Sequence, residues 1–282
     1  MVRKTSLLLG LIGDNIASSR APLLHRIAGS QNGIKVQYDR LTPKDRGLPF
    51  DALFASCTPD GYRGINITYP YKEKAAKLAR VDDPQVRAVG AINTVIFEPG
   101  GARGYNTDYS GFVAGYRAAF GDALPGNVAL IGTGGVGRAV SFGLASLGVA
   151  QLRLVDCDRS KAEALSSALE IGNPDLKVSI WDTAEKAAIG ANGLVNCTPV
   201  GMVGHDGTPM APEAMIGADW AFDAIYTPLE TQFLIDAKAA GLSILSGWEL
   251  FIYQGIHAWK HFSGTPLDEI KLRQALSEHM AR

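Results

Sequence analysis

Apolar residues occur along the chain in two kinds of pattern, short continuous runs and longer segments with helical spacing. The short runs predict buried strands, and the longer segments predict helices between them. The first part of the chain is expected to hold strands at 6–12, 36–41 and 64–68, a hairpin of 91–97 with 101–105, and helices at 22–28, 49–57, 72–79 and 108–120.

A turn rich in Gly, Asp and Pro at 121–126 leads into a more regular alternation. Strands are expected at 127–131, 151–156, 177–181, 193–196, 220–224 and 243–245, and helices at 138–147, 161–169, 183–189, 230–240, 248–262 and 267–280. This rhythm is typical of a parallel sheet with helices on both faces. The predicted fold class is therefore α/β, and the 282 residues are enough for two domains.

Charge and composition exclude several kinds of partner. The formal net charge is -1 and no Lys/Arg-rich run is present, so we expect neither nucleic acid nor an anionic membrane as partner. No apolar stretch is long enough to cross a bilayer. The 3 cysteines are far apart and odd in number, which favours a reducing compartment, the cytoplasm.

The segment Gly-Thr-Gly-Gly-Val-Gly at 132–137 matches the pattern G-x-G-x-x-G. The pattern alone is weak, but an apolar strand leads into it and a helix is expected directly after the third glycine. Gly132 would permit the tight turn, Gly134 would let a pyrophosphate approach the backbone, and Gly137 would let helix and strand pack closely. The free N–H groups of the helix would face the phosphates.

Asp156 ends the next predicted strand, about 20 residues after the glycines, where an acid accepts hydrogen bonds from the adenosine ribose. A carboxylate there also repels a 2′-phosphate, and Asp158 adds a second negative charge. Arg159 and Lys161 could reach such a phosphate, although solvated residues at a helix start are the preferred interpretation. The sequence therefore predicts NAD as cofactor, with NADP as the alternative.

Polar residues also gather at predicted strand ends in the first domain. They lie in three segments, 64–72, 90–94 and 104–108, which contain Asn66, Thr68, Lys72, Asn93 and Asn106. Ligand crevices form at such strand ends in open α/β sheets. Each residue alone is weak support, because Asn is common in turns and Lys is usually solvated.

These three segments resemble the signatures of the shikimate dehydrogenases, G-x-N-[VI]-T-x-P-x-K, G-A-x-N-T and G-x-N-T-D. The resemblance covers nearly the whole chain, continuing through 132–139, 196–202, 223–228 and the tail at 247–264. It implies an α/β substrate domain at 1–113, a Rossmann-type, doubly wound NAD-binding domain at 114–247, and C-terminal helices at 248–282 that complete the first domain. It also implies a small-molecule hydroxy acid as substrate and a monomer or homodimer.

The resemblance further implies a catalytic pair in a cleft, and the matching positions are Lys72 and Asp108. Oxidation of a secondary alcohol needs a base for the hydroxyl proton while hydride leaves the same carbon. The residues expected to bind the substrate are Ser19, Thr68, Asn93, Tyr226 and Gln254. Those expected to bind the cofactor are Gly132, Gly134, Gly135, Val136, Gly137, Asp156, Lys161, Thr198, Met202, Ile225 and Gly247, of which Thr198, Met202 and Gly247 border the nicotinamide.

Two positions depart from the common family pattern. The family usually carries Ser-x-Ser-Pro near the N-terminus, whereas this chain has Ala21 in place of the second serine and so lacks one hydroxyl. NADP-using biosynthetic members typically carry Asn-Arg-Thr at the strand end, whereas this chain has Asp-Cys-Asp at 156–158. This combination resembles the NAD-using quinate/shikimate dehydrogenases, which serve the breakdown of both compounds.

The leading hypothesis is an NAD-dependent dehydrogenase acting on the ring 3-hydroxyl of quinate or shikimate. The alternatives are a biosynthetic NADP-dependent shikimate dehydrogenase, an aminoshikimate-type relative, and a nicotinamide-binding regulator without turnover. Retention of Lys72 and Asp108 argues against the regulator. His257 and His261 lie four apart on a predicted helix, but no third ligand accompanies them, so no metal site is expected.

Overall fold

The computed structural model describes residues 5–280. They form two compact units: the first unit comprises the residues up to Thr107 and from Gln254 onward, and the second unit comprises Asp108–Tyr253. The boundaries expected from the sequence lie a few residues away, and the assignment of substrate to one part and cofactor to the other stays a prediction.

The elements follow one another in the alternation that the apolar pattern predicts. The strands are β1 (Ser6–Ile12), β2 (Lys35–Leu41), β3 (Gly64–Ile67), β4 (Thr94–Glu98), β5 (Gly101–Tyr105), β6 (Asn127–Ile131), β7 (Gln151–Val155), β8 (Lys177–Ile180), β9 (Gly193–Asn196), β10 (Trp220–Asp223) and β11 (Ser243–Leu245). The helices are α1 (Ala21–Gln31), α2 (Pro43–Arg46), α3 (Phe50–Ser56), α4 (Lys72–Ala76), α5 (Pro84–Val89), α6 (Thr107–Phe120), α7 (Gly135–Ser146), α8 (Arg159–Gly172), α9 (Ala184–Ala188), α10 (Gln232–Ala239), α11 (Gly247–Ser263) and α12 (Glu269–Met280).

Two short helices, α2 and α5, were not predicted. Each begins with a proline, and α5 is capped by Asp83, whose carboxylate accepts hydrogen bonds from the first turn. Such helices are too short to show an apolar period, so local capping rather than patterning determines them. A 3₁₀ turn at Pro212–Met215 was missed for the same reason.

The first unit contains a five-stranded mixed sheet of order β2-β1-β3-β4-β5. Strand β1 is parallel to β2 and β3, whereas β4 is antiparallel to both β3 and β5. The predicted β4–β5 hairpin is confirmed. Trp259 and Phe262, on the C-terminal helix α11, are buried in one core cluster with Leu9 and Ile96 of this sheet. The C-terminal helices therefore complete the first unit, as expected.

The second unit contains a six-stranded sheet of order β11-β10-β9-β6-β7-β8 in which all paired strands are parallel. Numbered along the chain, this is the 3-2-1-4-5-6 order of the doubly wound dinucleotide-binding fold, so the Rossmann-type prediction is confirmed. The strand order reverses between β6 and β9, where Ile131 is paired with Asn196. In this fold, ligands bind outside the carboxyl ends of these strands.

Within the described residues, no helix has both the length and the apolar character needed to cross a membrane.

Candidate active site

The turn after β6 is built on two glycines that have no room for a side chain. Gly132 has a φ of 92°, and a Cβ there would lie 2.7 Å from the carbonyl carbon of Cys197. A Cβ at Gly137 would lie 1.9 Å from the carbonyl oxygen of Gly132. Both glycines are therefore needed for the close approach of turn, helix and neighbouring strand end, as the sequence pattern predicts.

Gly134 differs from them, because a Cβ at this position would meet nothing within 4 Å. It is the N-cap of α7, which begins at Gly135 and not after Gly137 as expected. The backbone of Gly134 is extended, so the helix starts at the next residue. The N–H groups at the start of α7 have no partner inside the helix. The open space beside them fits a pyrophosphate at a helix N-terminus.

Asp156 follows β7 and is held by the glycine turn. The backbone N–H and the hydroxyl of Thr133 both donate to its Oδ2 at 2.7 Å, and the N–H of Asp158 donates to its Oδ1 at 2.9 Å. Partial burial raises the pKa of Asp156, but these hydrogen bonds outweigh burial and leave the pKa below its ordinary value. Asp156 is therefore an ionised acceptor at the strand end.

The cations near this carboxylate are paired with acids. Arg159 makes ion pairs with Glu163 at 3.1 Å and with Asp182 at 3.4 Å. Lys161 lies 3.8 Å from Asp158, which also caps α8 by accepting a hydrogen bond from the N–H of Ser160 at 3.1 Å. These side chains are exposed, so the pairs are weak and screened by salt. They nevertheless agree with the interpretation of solvated residues at a helix start.

The segment after β9 lies beside the glycine turn and carries Thr198 and Met202. The N–H and hydroxyl of Thr198 donate to the Oδ1 of buried Asn196, at 3.0 and 2.7 Å. Met202 donates its N–H to Pro199 at 3.0 Å and accepts from the N–H of His205 at 2.8 Å. The loop at 205–207 thus begins as a hydrogen-bonded turn.

The segment after β10 carries Ile225 and Tyr226. The N–H of Ile225 donates to buried Asp223 at 2.9 Å. A Cβ at Gly247, the first residue of α11, would lie 2.3 Å from the carbonyl oxygen of Ile225, so this glycine is required for backbone contact. Tyr226 stacks on Phe251 with ring centroids 4.8 Å apart. Thr198, Ile225 and Gly247 thus belong to neighbouring strand-end segments.

In the first unit, Asn93 is the centre of a buried polar network. Its Oδ1 accepts the backbone N–H of Thr107 at 2.7 Å and the hydroxyls of Thr107 and Thr94 at 3.1 Å each. Because a backbone N–H can only donate, the orientation of the Asn93 amide is fixed. Asn66 donates to the Thr94 hydroxyl at 3.1 Å and accepts the Tyr38 hydroxyl at 2.8 Å. This network holds the ends of β3, β4 and β5 together.

Lys72 and Asp108 are both buried, with exposed fractions of 9% and 7%. Lys72 begins α4, and its backbone oxygen accepts the N–H of Ile92 at 3.0 Å. The preceding residue, Tyr71, stacks on Phe50 at 4.6 Å, and its hydroxyl donates to Asp14 at 2.7 Å. The start of α4 is thus anchored by an aromatic contact. Asp108 lies in the first turn of α6.

Ser19 and Thr68 lie on loops that follow β1 and β3. The N–H of Ala21 donates to the Ser19 hydroxyl at 3.3 Å, which leaves the hydroxyl proton of Ser19 available to a ligand. A Cβ at Gly13 would lie 2.3 Å from the methyl group of Thr68, so the two loops touch. Ala21 is the first residue of α1.

Gln254 lies on α11 beside Gly255, the position at which this helix approaches α1 closely. A Cβ at Gly255 would lie 2.4 Å from a methyl carbon of Leu24. The structure therefore places Gln254 on the helix that packs against α1, within the first unit. Tyr226 belongs to the second unit.

Several residues that shape these sites were given no role from the sequence. They are Thr133, which binds Asp156; Asn196 and Asp223, which hold the strand-end segments of the second unit; and Tyr71 and Gly13 in the first unit. Asn196 and Asp223 are the last residues of apolar strands, and a polar residue at such a position was the signal that could have found them.

Comparison with known proteins agrees with this arrangement. Residues 11–95 match the family model of the shikimate dehydrogenase substrate binding domain. A quinate/shikimate dehydrogenase (NAD(+)) from Corynebacterium efficiens is 37% identical over 274 residues, covering 95% of this chain and 96% of the relative. A shikimate dehydrogenase (NADP(+)) from an Arthrobacter species is 35% identical, covering 99% of this chain and 97% of the relative.

Among solved structures, quinate dehydrogenase from Corynebacterium glutamicum in complex with NAD is similar, with a TM-score of 0.88 and 33% identity. The match covers 97% of this chain and 99% of that chain. Sequence identity at this level over nearly full length, together with the parallel sheet and its glycine turn, establishes the family. The chain belongs to the shikimate dehydrogenases, a family of oxidoreductases that act on a hydroxyl group.

Proposed function

We propose that the protein oxidises the ring 3-hydroxyl of quinate, shikimate or both to the 3-dehydro compound, with NAD as the hydride acceptor. The observation that carries the proposal is the fixed, ionised carboxylate of Asp156 beside the glycine turn. The relative from Corynebacterium efficiens is named for NAD and for both substrates, and the similar solved structure holds NAD.

The preference for NAD rests on charge at the end of β7. An ionised carboxylate accepts hydrogen bonds from ribose hydroxyls and repels a 2′-phosphate. The N–H and the hydroxyl of Thr133 occupy both lone pairs of the Asp156 Oδ2, so a ribose hydroxyl would donate to Oδ1, where the N–H of Asp158 leaves a second acceptor position. Arg159, which could bind a 2′-phosphate, is paired with Glu163 and Asp182. We therefore expect NADP to bind more weakly than NAD.

The chemical step requires one base and a fixed alcohol. Lys72 takes the proton of the 3-hydroxyl, and Asp108 orients Lys72 or shares the proton. NAD, when bound, supplies the acceptor for the hydride. The Asn93 amide, whose oxygen is occupied by Thr107 and Thr94, directs its N–H groups to a ring hydroxyl. Ser19, Thr68, Tyr226 and Gln254 bind the carboxylate and the remaining hydroxyls.

The role of Lys72 is tested by comparing Lys72→Ala with Lys77→Ala, which removes an exposed lysine from the end of the same helix. Loss of a general base lowers turnover by about 10²–10⁴-fold. We expect a kcat loss in that range for Lys72→Ala, with an unchanged Kd for NAD, and kinetics close to those of the unsubstituted protein for Lys77→Ala. Near-normal turnover by Lys72→Ala would remove Lys72 from the base role.

A further inference from the structure

Asp223 is a fully buried carboxylate at the last position of β10, with an exposed fraction of 0%. Its Oδ1 accepts the N–H of Ile225 at 2.9 Å and the side-chain N–H of Asn196 at 3.2 Å. Its Oδ2 accepts the hydroxyl of Thr231 at 2.6 Å, and Thr231 in turn caps α10. One carboxylate therefore joins the end of β9, the segment after β10 and the start of a helix.

Asn196 extends this network to the segment after β9. It is the register partner of Asp223, and its Oδ1 accepts the N–H and the hydroxyl of Thr198. Because the backbone N–H of Thr198 must donate, the Asn196 amide can direct its own N–H groups only away from Thr198, to Asp223 and to the oxygen of Val200 at 3.2 Å. The position of Thr198 thus depends on Asp223 through a single amide.

Ile225 is held from both sides. Its N–H binds Asp223, and its carbonyl oxygen is in the close backbone approach that requires glycine at Gly247. The peptide groups on either side of Ile225 therefore have little freedom. Thr198 and Gly247 are expected to border the nicotinamide and Ile225 is expected to bind the cofactor, and all three belong to the second unit.

A buried carboxylate without a cationic partner is a costly way to stabilise a fold. Burial raises the pKa of Asp223 to about 6, against the effect of its hydrogen bonds from Thr231, Ile225 and Asn196. No charged side chain of the described residues contributes to this shift. Perturbed acids of this kind gather at functional sites, which favours a role in ligand binding over a role in folding alone.

We propose that Asp223 is a positioning residue for the nicotinamide half of the coenzyme. It aligns the segments after β9 and β10, so that Thr198 and Ile225 form one preorganised surface for the nicotinamide. The inference rests on the proposed function, since it assumes that these segments receive the coenzyme. It assigns Asp223 no contact with the adenosine half, whose expected site is Asp156.

The test compares NAD with ADP-ribose, which lacks the nicotinamide, by isothermal titration calorimetry on the full chain. Asp223→Ala should weaken NAD binding by about tenfold or more, because small misplacements of binding groups have large effects. It should leave the Kd for ADP-ribose unchanged. Asp223→Asn, unlike Asp223→Ala, should bind NAD as tightly as the unsubstituted protein. Its amide oxygen can still accept from Ile225 and Asn196 while its N–H donates to Thr231.

Thr231→Val is the matched structural control. It removes the hydrogen bond to Oδ2 and the cap of α10, so its Tm should fall, but the bonds of Oδ1 to Ile225 and Asn196 remain. Its Kd for NAD and for ADP-ribose should match those of the unsubstituted protein. If Asp223→Ala does not fold, Asn196→Ala takes its place, with the same selective loss of NAD expected.

Equal weakening of NAD and ADP-ribose by the Asp223 or Asn196 variant would overturn the inference, as would unchanged binding of NAD. Failure of Asp223→Asn to restore binding would also overturn it, because the network would then not be the cause. Failure of the proposed function would appear in a different experiment, because the unsubstituted protein would then oxidise neither quinate nor shikimate with NAD. The binding of NAD and of ADP-ribose could still be compared.

Discussion

Thr133 donates two hydrogen bonds to a single oxygen of Asp156, one from its backbone N–H and one from its hydroxyl, each at 2.7 Å. The glycine turn after β6 and the acid after β7 are therefore one rigid element. A coenzyme that places its pyrophosphate at the turn finds its ribose acceptor already oriented, with little ordering cost on binding.

Asp156→Ala should weaken the binding of NAD by about tenfold or more, because hydrogen bonds to charged groups contribute about 1.5–3 kcal/mol. The binding of NADP should weaken less, since the same substitution removes a charge that repels the 2′-phosphate. The Kd values for both coenzymes provide the measurement. Asp175→Ala, which removes an exposed carboxylate from the same unit, is the control and should leave both values unchanged. Equal losses of affinity for NAD and NADP would show that Asp156 does not bind the adenosine ribose.

Alanine at Gly134 and at Gly137 should have opposite consequences. The Cβ at Gly134 enters open space, so the protein should keep its Tm but lose NAD binding by at least about tenfold, because the methyl group occupies the expected pyrophosphate position. The Cβ at Gly137 meets the oxygen of Gly132 at 1.9 Å, so this variant should unfold at a markedly lower temperature. Thermal unfolding and NAD titration distinguish the two. A stable Gly134→Ala that binds NAD normally would place the pyrophosphate elsewhere.

The sequence predicts those parts of the molecule whose determinants are local. Strands β1 and β6 are continuous apolar runs and were predicted with their full bounds. The glycine pattern predicts the start of α7 too late, after the third glycine, whereas the extended Gly134 is the N-cap and the helix begins at Gly135. The buried networks could not be predicted, since their members are distant in sequence: Asn93 meets Thr107, and Asn196 meets Asp223.

Ala21→Ser restores the hydroxyl that the family usually carries at this position. The new group would stand at the start of α1, next to Ser19, whose hydroxyl already accepts the N–H of residue 21 at 3.3 Å. One added hydrogen bond is worth about 0.5–1.5 kcal/mol, so the KM for shikimate should fall by about two- to tenfold. Ala17→Ser, in the exposed part of the same loop, should change nothing. An unchanged KM in Ala21→Ser would mean that the substrate does not use this hydroxyl.

His25 should make the protein less stable in mild acid. Burial lowers the pKa of His25 to about 3, against a hydrogen bond with Asn66 that raises it. Its Nδ1 has no partner among the described residues. Since the unfolded chain binds a proton at this residue below about pH 6.5 and the native state does not, its contribution to stability is present above that pH and is lost as the pH falls towards 3.

As the pH falls from 7.5 to 5.5, His25 should lower the free energy of unfolding by about 1 kcal/mol. Asp223 acts in the opposite direction, because its pKa is raised to about 6 in the native state and it then binds more protons than in the unfolded chain. Urea unfolding of the unsubstituted protein and of His25→Phe at both pH values isolates the effect of His25. If the free energy of unfolding depends equally on pH in the two proteins, the pKa of His25 is not lowered by burial.

Four initial rates show whether the protein is an NAD-dependent dehydrogenase for quinate or shikimate. Quinate and shikimate are each assayed with NAD and with NADP at equal concentrations. We expect kcat/KM to be at least about tenfold higher with NAD than with NADP for the better substrate, because the Asp156 carboxylate favours the unphosphorylated ribose. A higher kcat/KM with NADP would show that the protein prefers NADP, and no oxidation of either substrate with NAD would rule out the proposed function.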